Sequence, residues 1–333
     1  AKWKLNSYTV RFHDGLESDQ TVDEEFFYSK KKALLASKDV EFVNNGYYVS
    51  AWTAKINGKN KKFKAGEKVT NLTEKDGEVI DFYPVWSEIT YTVTYKANGG
   101  KGSVKKQTVK GLKEFNLRKN SFTRKGYTAD GWVDEEGHEY ASGQAGVSNL
   151  TNTNKANIVL NAVWVENEYT LRLCPGKGVL PEGKDDYETL TAKYSDMILL
   201  PENIYTKEGY HFSGWNTKEN GKGTTYGPGS SVSKLTATNL KEVKLYPVWK
   251  KNNDKAYVII YDANGGTGKM TETVMKKNTK LKANAYKKAG YKFAGWQDAA
   301  GNTYSNKAQI KWSKELKGQI LELTAVWEST EKN

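Results

Sequence analysis

The chain repeats itself four times, and no other feature limits its possible folds as sharply. A Gly-Tyr pair followed by Trp six residues after the Gly occurs at Gly46 to Trp52, Gly126 to Trp132, Gly209 to Trp215 and Gly290 to Trp296. Successive Trp residues of this marker are 80, 83 and 81 positions apart. A second marker ends in Trp86, Trp164, Trp249 and Trp327, preceded by Pro-Val or Ala-Val. A third begins with a Tyr-led apolar alternation at Tyr8, Tyr91, Tyr169 and Tyr257. The fixed order of the three markers divides the chain into 1–88, 89–166, 167–250 and 251–333. Each stretch is long enough for one small core. The joints between them are short and polar, which predicts an elongated array of separate modules with limited bending.

The local pattern is mostly β. Tyr91, Val93 and Tyr95 alternate with Thr92, Thr94 and Lys96, the period of a half-buried strand. Asn98-Gly99-Gly100 tolerates positive φ, so that strand ends in a tight turn, and Asn264-Gly265-Gly266 repeats the device. Val243, Leu245 and Pro247 alternate with Lys244, Tyr246 and Val248 in a closing strand. The best helix candidate is Asp23 to Lys38, with Asp23 as cap and Phe27, Leu34 and Leu35 facing the core. Short strands with one helical or irregular crossover predict an α+β, mostly β, β-grasp-like unit; a pure β-sandwich is the alternative.

These markers resemble the internalin B-repeat family, also called Listeria–Bacteroides repeats: Tyr strand, Asn-Gly-Gly turn, Gly-Tyr-x-x-x-Gly-Trp and closing Ala-Val-Trp. The second and fourth repeats fit best. The third replaces the turn with Cys174-Pro175-Gly176-Lys177-Gly178. The first has His13-Asp14-Gly15 there and lacks the Gly before its first Trp. The resemblance implies tandem β-grasp-like modules on bacterial, mostly Gram-positive, surface proteins. It implies adhesion, spacing or ligand binding rather than catalysis, and it carries over no binding residues.

Eight of the ten Trp residues occupy the two repeated positions: Trp52, Trp132, Trp215 and Trp296, then Trp86, Trp164, Trp249 and Trp327. A position filled identically in four diverged copies serves what the copies share, which is the core. One Trp buries roughly 200 Å2, a large share for a unit this small. The expectation is a core built on two Trp per repeat. Trp3 and Trp312 fall outside the pattern, and Trp312 is the candidate aromatic contact for a ligand, beside unaligned tyrosines such as Tyr187.

The net charge of +12 is uneven. The four repeats carry 0, +4, +1 and +7. The excess is densest at Lys269, Lys276, Lys277, Lys280, Lys282, Lys287, Lys288 and Lys292. All are Lys, which suits diffuse attraction to a polyanion better than the bidentate reading of bases. A candidate binding face for a polyanion is therefore expected in the fourth repeat, and sequence-specific nucleic-acid binding is not. A solvated face that keeps the protein soluble is the competing explanation.

Catalytic and metal signals are weak. His13, His138 and His211 occupy unrelated repeat positions, and His211 reads as a surface variant. Glu135 to Glu139 gathers acids around His138 at what looks like a hairpin tip. Cys174 has no cysteine partner and stands in a turn. Gly265 to Lys269 lacks the spacing of a phosphate loop, with Met270 where Ser or Thr is required. Asp262, Asn264 and Gly266 lack the distal Glu of a calcium loop. No enzymatic activity, metal or cofactor is expected. Lys–Asn cross-links are compatible with the composition and not selected by it.

No run approaches the roughly 18 apolar residues of a membrane-spanning helix, so no membrane insertion is expected. With neither a leader nor a sorting motif in view, the chain reads as a monomeric segment of a longer extracellular, cell-surface adhesin. Its expected partner is a host or environmental protein. A non-catalytic glycan-binding module and a passive spacer are the alternatives.

Overall fold

The computed structural model describes residues 4–182, 188–201 and 205–331. Trp3 and Tyr187 lie outside them. Among the described residues the structure is nearly all β, in four five-stranded sheets and three two-stranded ones, with two 3-10 turns and no α-helix. The four large sheets share one strand order. An outer strand pairs with the opening strand, then come the closing strand, the Gly-Tyr marker strand and a hairpin partner. The opening strands are Ser7–His13, Thr90–Lys96, Glu168–Leu173 and Tyr257–Asp262. The closing strands are Val79–Glu88, Asn157–Glu166, Lys241–Lys251 and Ile320–Ser329.

The closing strand is last in each repeat and central in its sheet. It runs parallel to the opening strand, as in Thr92 opposite Asn157 and Val258 opposite Ile320. It runs antiparallel to the marker strand, as in Phe212 opposite Trp249 and Phe293 opposite Trp327. A parallel pair needs a crossover. Here the intervening chain supplies the marker hairpin and, in three repeats, a two-stranded pair such as Ile198–Leu199 with Ser231–Val232.

Alternation decides which side chains enter each core. Tyr8, Val10 and Phe12 are buried, as are Tyr91, Val93 and Tyr95, Tyr169, Leu171 and Leu173, and Tyr257, Ile259 and Tyr261. The turn after the second opening strand has φ +45° at Asn98 and +84° at Gly99, and the fourth repeats this at Asn264 and Gly265.

The helix expected over Asp23 to Lys38 does not form. Thr21–Phe27 is the outer strand of the first sheet. Asp23 faces Arg11 across the strand pair and bonds its guanidinium at 2.8 Å instead of capping a helix. Phe26 is buried against Tyr8, with ring centroids 5.9 Å apart. A seven-residue register with Ser7–His13 outweighs the mixed local propensity of this acidic segment. Leu34 is buried beside a two-residue strand, and Ser37–Asp39 is a 3-10 turn. The α+β expectation is corrected accordingly to a nearly all-β fold.

The chain forms two compact units. The first holds residues 1–124 and 129–164, the second 125–128 and 165–333. Within the first unit the joint between repeats is built rather than loose. Ile89 is fully buried, its N–H donates to the Gly46 carbonyl at 2.9 Å, and Tyr48 packs on the second core. Within the second unit His211 is buried, which corrects its reading as a surface variant. Its ring nitrogens lie 3.0 Å from Asn252 Oδ1 and 3.0 Å from Glu272 Oε2. Glu272 also meets Lys250 at 3.3 Å, so one polar cluster around the buried His211 ring ties consecutive repeats.

Candidate binding surface

The two repeated Trp positions do different work. Trp52, Trp132, Trp215 and Trp296 have no exposed surface and sit at the centre of their cores. Three of them donate their indole N–H to a carbonyl of the intervening chain: Leu35 at 2.7 Å, Arg118 at 2.9 Å and Pro201 at 3.2 Å. Trp86, Trp164, Trp249 and Trp327 are half-buried and lie against the turn that follows the opening strand. Trp164 donates to Ala97 at 3.0 Å, Trp327 to Ala263 at 3.0 Å and Trp86 to Asp14 at 3.1 Å. A Cβ added to Gly100 or Gly266 would stand 2.4 or 2.8 Å from the Trp164 or Trp327 ring, so the turn glycine gives the ring its seat. Trp249 departs from this pattern: its buried N–H has no partner.

The hairpin tips are structural. Asp134 accepts from the Glu136 and His138 amides, the His138 ring and the Tyr140 hydroxyl. Desolvation pushes its carboxyl up, but these bonds outweigh it and hold the group below the usual carboxylate range. Burial first, then the Asp134 carboxylate, push the Tyr140 phenol up to about 12. Asp298 and Tyr304 repeat the arrangement in the fourth repeat, with a 2.8 Å bond. Cys174 is buried, and that burial pushes its thiol up, away from the ionised nucleophile. Among the described residues no cluster of His, Cys, Asp and Glu suits a metal ion. No helix among them is long and apolar enough to cross a membrane.

The predicted lysines differ in exposure and in their partners. Lys269, Lys276, Lys277, Lys280, Lys282, Lys287 and Lys292 are exposed, and Lys288 is half-buried. Lys282 reaches Thr271 and the Glu272 carbonyl, and Lys292 pairs with Glu328 at 2.9 Å. Lys288 donates to the Asn264 carbonyl at 3.2 Å and lies 4.9 Å from the centroid of the Tyr291 ring. Trp312 packs on the fourth core, with its N–H buried and unpartnered, rather than standing free as an aromatic contact.

Two of the eight lysines do meet an apolar surface. Lys287 and Lys288 border a groove of about 880 Å3 within the second unit. Its other walls include Met197, Leu199, Tyr291 and Trp327. Met197 is 60% exposed, Leu199 59% and Tyr291 45%. The strand pair carrying Leu199 is set against the fourth repeat by Ser231 N–H donating to the Gly266 carbonyl at 2.9 Å. The sequence holds a faint sign of this surface, the run Met197-Ile198-Leu199-Leu200, in which Leu200 is buried and Met197 and Leu199 are not.

The profile of the Listeria-Bacteroides repeat domain matches residues 91–163, 181–241 and 257–320. A protein of Evansella cellulosilytica inferred to be a Gly-rich membrane protein is 26% identical over 65% of this chain and 24% of its own length. A second protein of that organism, inferred to be a membrane protein, is 23% identical over 77% of this chain and 35% of its own. The chain thus spans about a quarter to a third of these relatives. Among solved structures, the Bacillus anthracis TIE protein aligns over 98% of this chain and 66% of that one, at 10% identity and a TM-score of 0.23. Three matched repeats spanning more than half of the chain place it in the Listeria-Bacteroides repeat domain family.

Proposed function

We propose that this chain is the tandem-repeat segment of a bacterial cell-surface adhesin, that its four large sheets are four β-grasp-like modules, and that the second compact unit binds a protein ligand. The membrane descriptions of both Evansella relatives support a location at the cell surface. The observation that carries the binding reading is the groove at Met197, Leu199 and Tyr291, bordered by Lys287 and Lys288. Exposed apolar side chains beside the Lys287 and Lys288 ammonium groups favour a partner segment that mixes apolar and acidic residues. The mechanism is interfacial and non-catalytic: the apolar walls contribute burial, and the lysines contribute orientation and salt dependence.

The test is adhesion of beads coated with the full chain to host-cell and matrix-protein surfaces. A Met197→Asp/Leu199→Asp variant with an unchanged melting temperature is expected to lose at least about tenfold in adhering beads, since each substitution replaces burial worth roughly 1.5–3 kcal/mol with a buried charge. Undiminished adhesion by that folded variant overturns the assignment of this groove.

A further inference from the structure

The third repeat departs from its neighbours at three places in sequence, and the fold brings all three to one groove. The first is the turn Cys174 to Gly178. In the second and fourth repeats the turn asparagine bonds back to the closing strand, Asn98 Nδ2 to the Ala162 carbonyl at 3.0 Å and Asn264 Nδ2 to the Ala325 carbonyl at 2.9 Å. The third repeat has Gly176 at that position and forgoes this bond, and the closing Trp249 N–H is unpartnered as well. It gains an exposed Lys177 where the other two have Gly99 and Gly265.

The second departure is the marker hairpin. It runs from Thr217 to Thr224, where its counterparts close from Asp134 to His138 and from Asp298 to Asn302. The longer loop is cross-braced by one side chain. Asn216, 1% exposed, donates to Gly221, Gly223 and Thr225 and accepts from the Lys218 and Gly223 amides. The third is Tyr246, which stands where the second and fourth repeats have Asn161 and Thr324 and the first has Tyr83.

Lys177, Tyr246 and the long hairpin line a groove of about 770 Å3, floored by Pro247, Val248 and Trp249. Lys207 and Lys218 add cations, and Glu219 is its one acid. A repeat that gives up two hydrogen bonds and builds a longer, Asn216-braced loop around one hollow is shaped there by something other than folding. The chemistry of the lining selects the ligand. Aromatic and aliphatic floor atoms suit the C–H face of a sugar ring. Three ammonium groups call for an anion. Glu219, beside Gly176 and Tyr246, accepts hydrogen bonds and repels a purely acidic chain, so the ligand must also present hydroxyl donors. We propose that this groove is a binding site for an acidic saccharide, a sugar carrying a carboxylate. It is separate from the Met197–Leu199 groove and stands or falls independently of it.

The test is calorimetric titration of the full chain with a galacturonic acid oligomer, its methyl ester, and a glutamate peptide of equal charge. The acid oligomer is expected to bind, and the ester and the peptide at least about tenfold more weakly, because each lacks one of the two required features. Lys177→Gly combined with Lys207→Gln is expected to weaken acid binding by a similar factor. Tyr246→Thr installs the residue of the fourth repeat and is expected to weaken ester and acid alike. Lys288→Gln, in the other groove, is expected to change nothing. Absence of acid-oligomer binding overturns the proposal. So does equal binding of the peptide or the ester, or undiminished binding by the groove variants with unchanged melting temperature.

Discussion

Two tryptophans per repeat look equivalent in the sequence and are not. The marker Trp fills the core, while the closing Trp is a latch that holds the opening turn by ring contact and an N–H bond. Replacing each latch by Phe separates the two contributions. Trp327→Phe is expected to cost about 0.5–1.5 kcal/mol more than Trp249→Phe in chemical denaturation, because only Trp327 has a bond to lose. Equal costs would mean that the bond contributes nothing. The hairpin phenols offer a second reading at this scale. Tyr140 and Tyr304 are both pushed up to about 12, foremost by burial. A phenol that ionises later in the folded state contributes stability fully present below pH of about 10, the unfolded value, and lost as pH rises through about 12. Tyr140 and Tyr304 should be among the late-ionising tyrosines in an absorbance titration, and Asp134→Asn with Asp298→Asn should return these two toward the ordinary value while the other buried phenols stay late.

At the scale of elements, the glycine before the marker Trp is the position where geometry tolerates least. Gly131, Gly214 and Gly295 have φ of +142°, +126° and +159°. A Cβ there would stand 2.4, 2.2 and 2.9 Å from the carbonyl oxygens of Tyr140, Tyr226 and Tyr304 on the hairpin partner. Gly214→Ala is expected to cost at least about 1–3 kcal/mol from the backbone conformation alone, measured by urea denaturation. An unchanged midpoint would refute the close approach. The first repeat escapes the constraint with Ala51 because its hairpin is longer and pairs Ala51 directly with Lys64. The strands were readable from alternation, and so were their turns. The outer strand Thr21–Phe27 was not, because its residues favour no structure until Ser7–His13 offers a register. The candidate grooves were less legible still. Nothing in the lysine-rich segment itself says that Lys287 and Lys288 border the apolar wall contributed by Met197 and Leu199.

For the molecule as a whole, the closing strand sets the terms of assembly. It is made last and lies in the middle of its sheet, so a repeat severed before that strand leaves its opening and marker strands unjoined. Consecutive repeats within a compact unit are also in contact. Ile89→Ala, at a fully buried joint, is expected to cost about 2–4 kcal/mol and to reduce hydrogen-exchange protection in the sheets on both sides of it. An effect confined to one sheet would show that the repeats are independent. The sequence by itself determined the repeat, the strands and the Trp-centred cores, because periodicity and residue type act locally and identically in every copy. Tertiary structure alone decided that a segment of mixed local propensity becomes a strand, that polar joints are packed, and that three separated departures in the third repeat share one groove. Those outcomes depend on which distant atoms come within a few ångströms, and no local pattern carries that information.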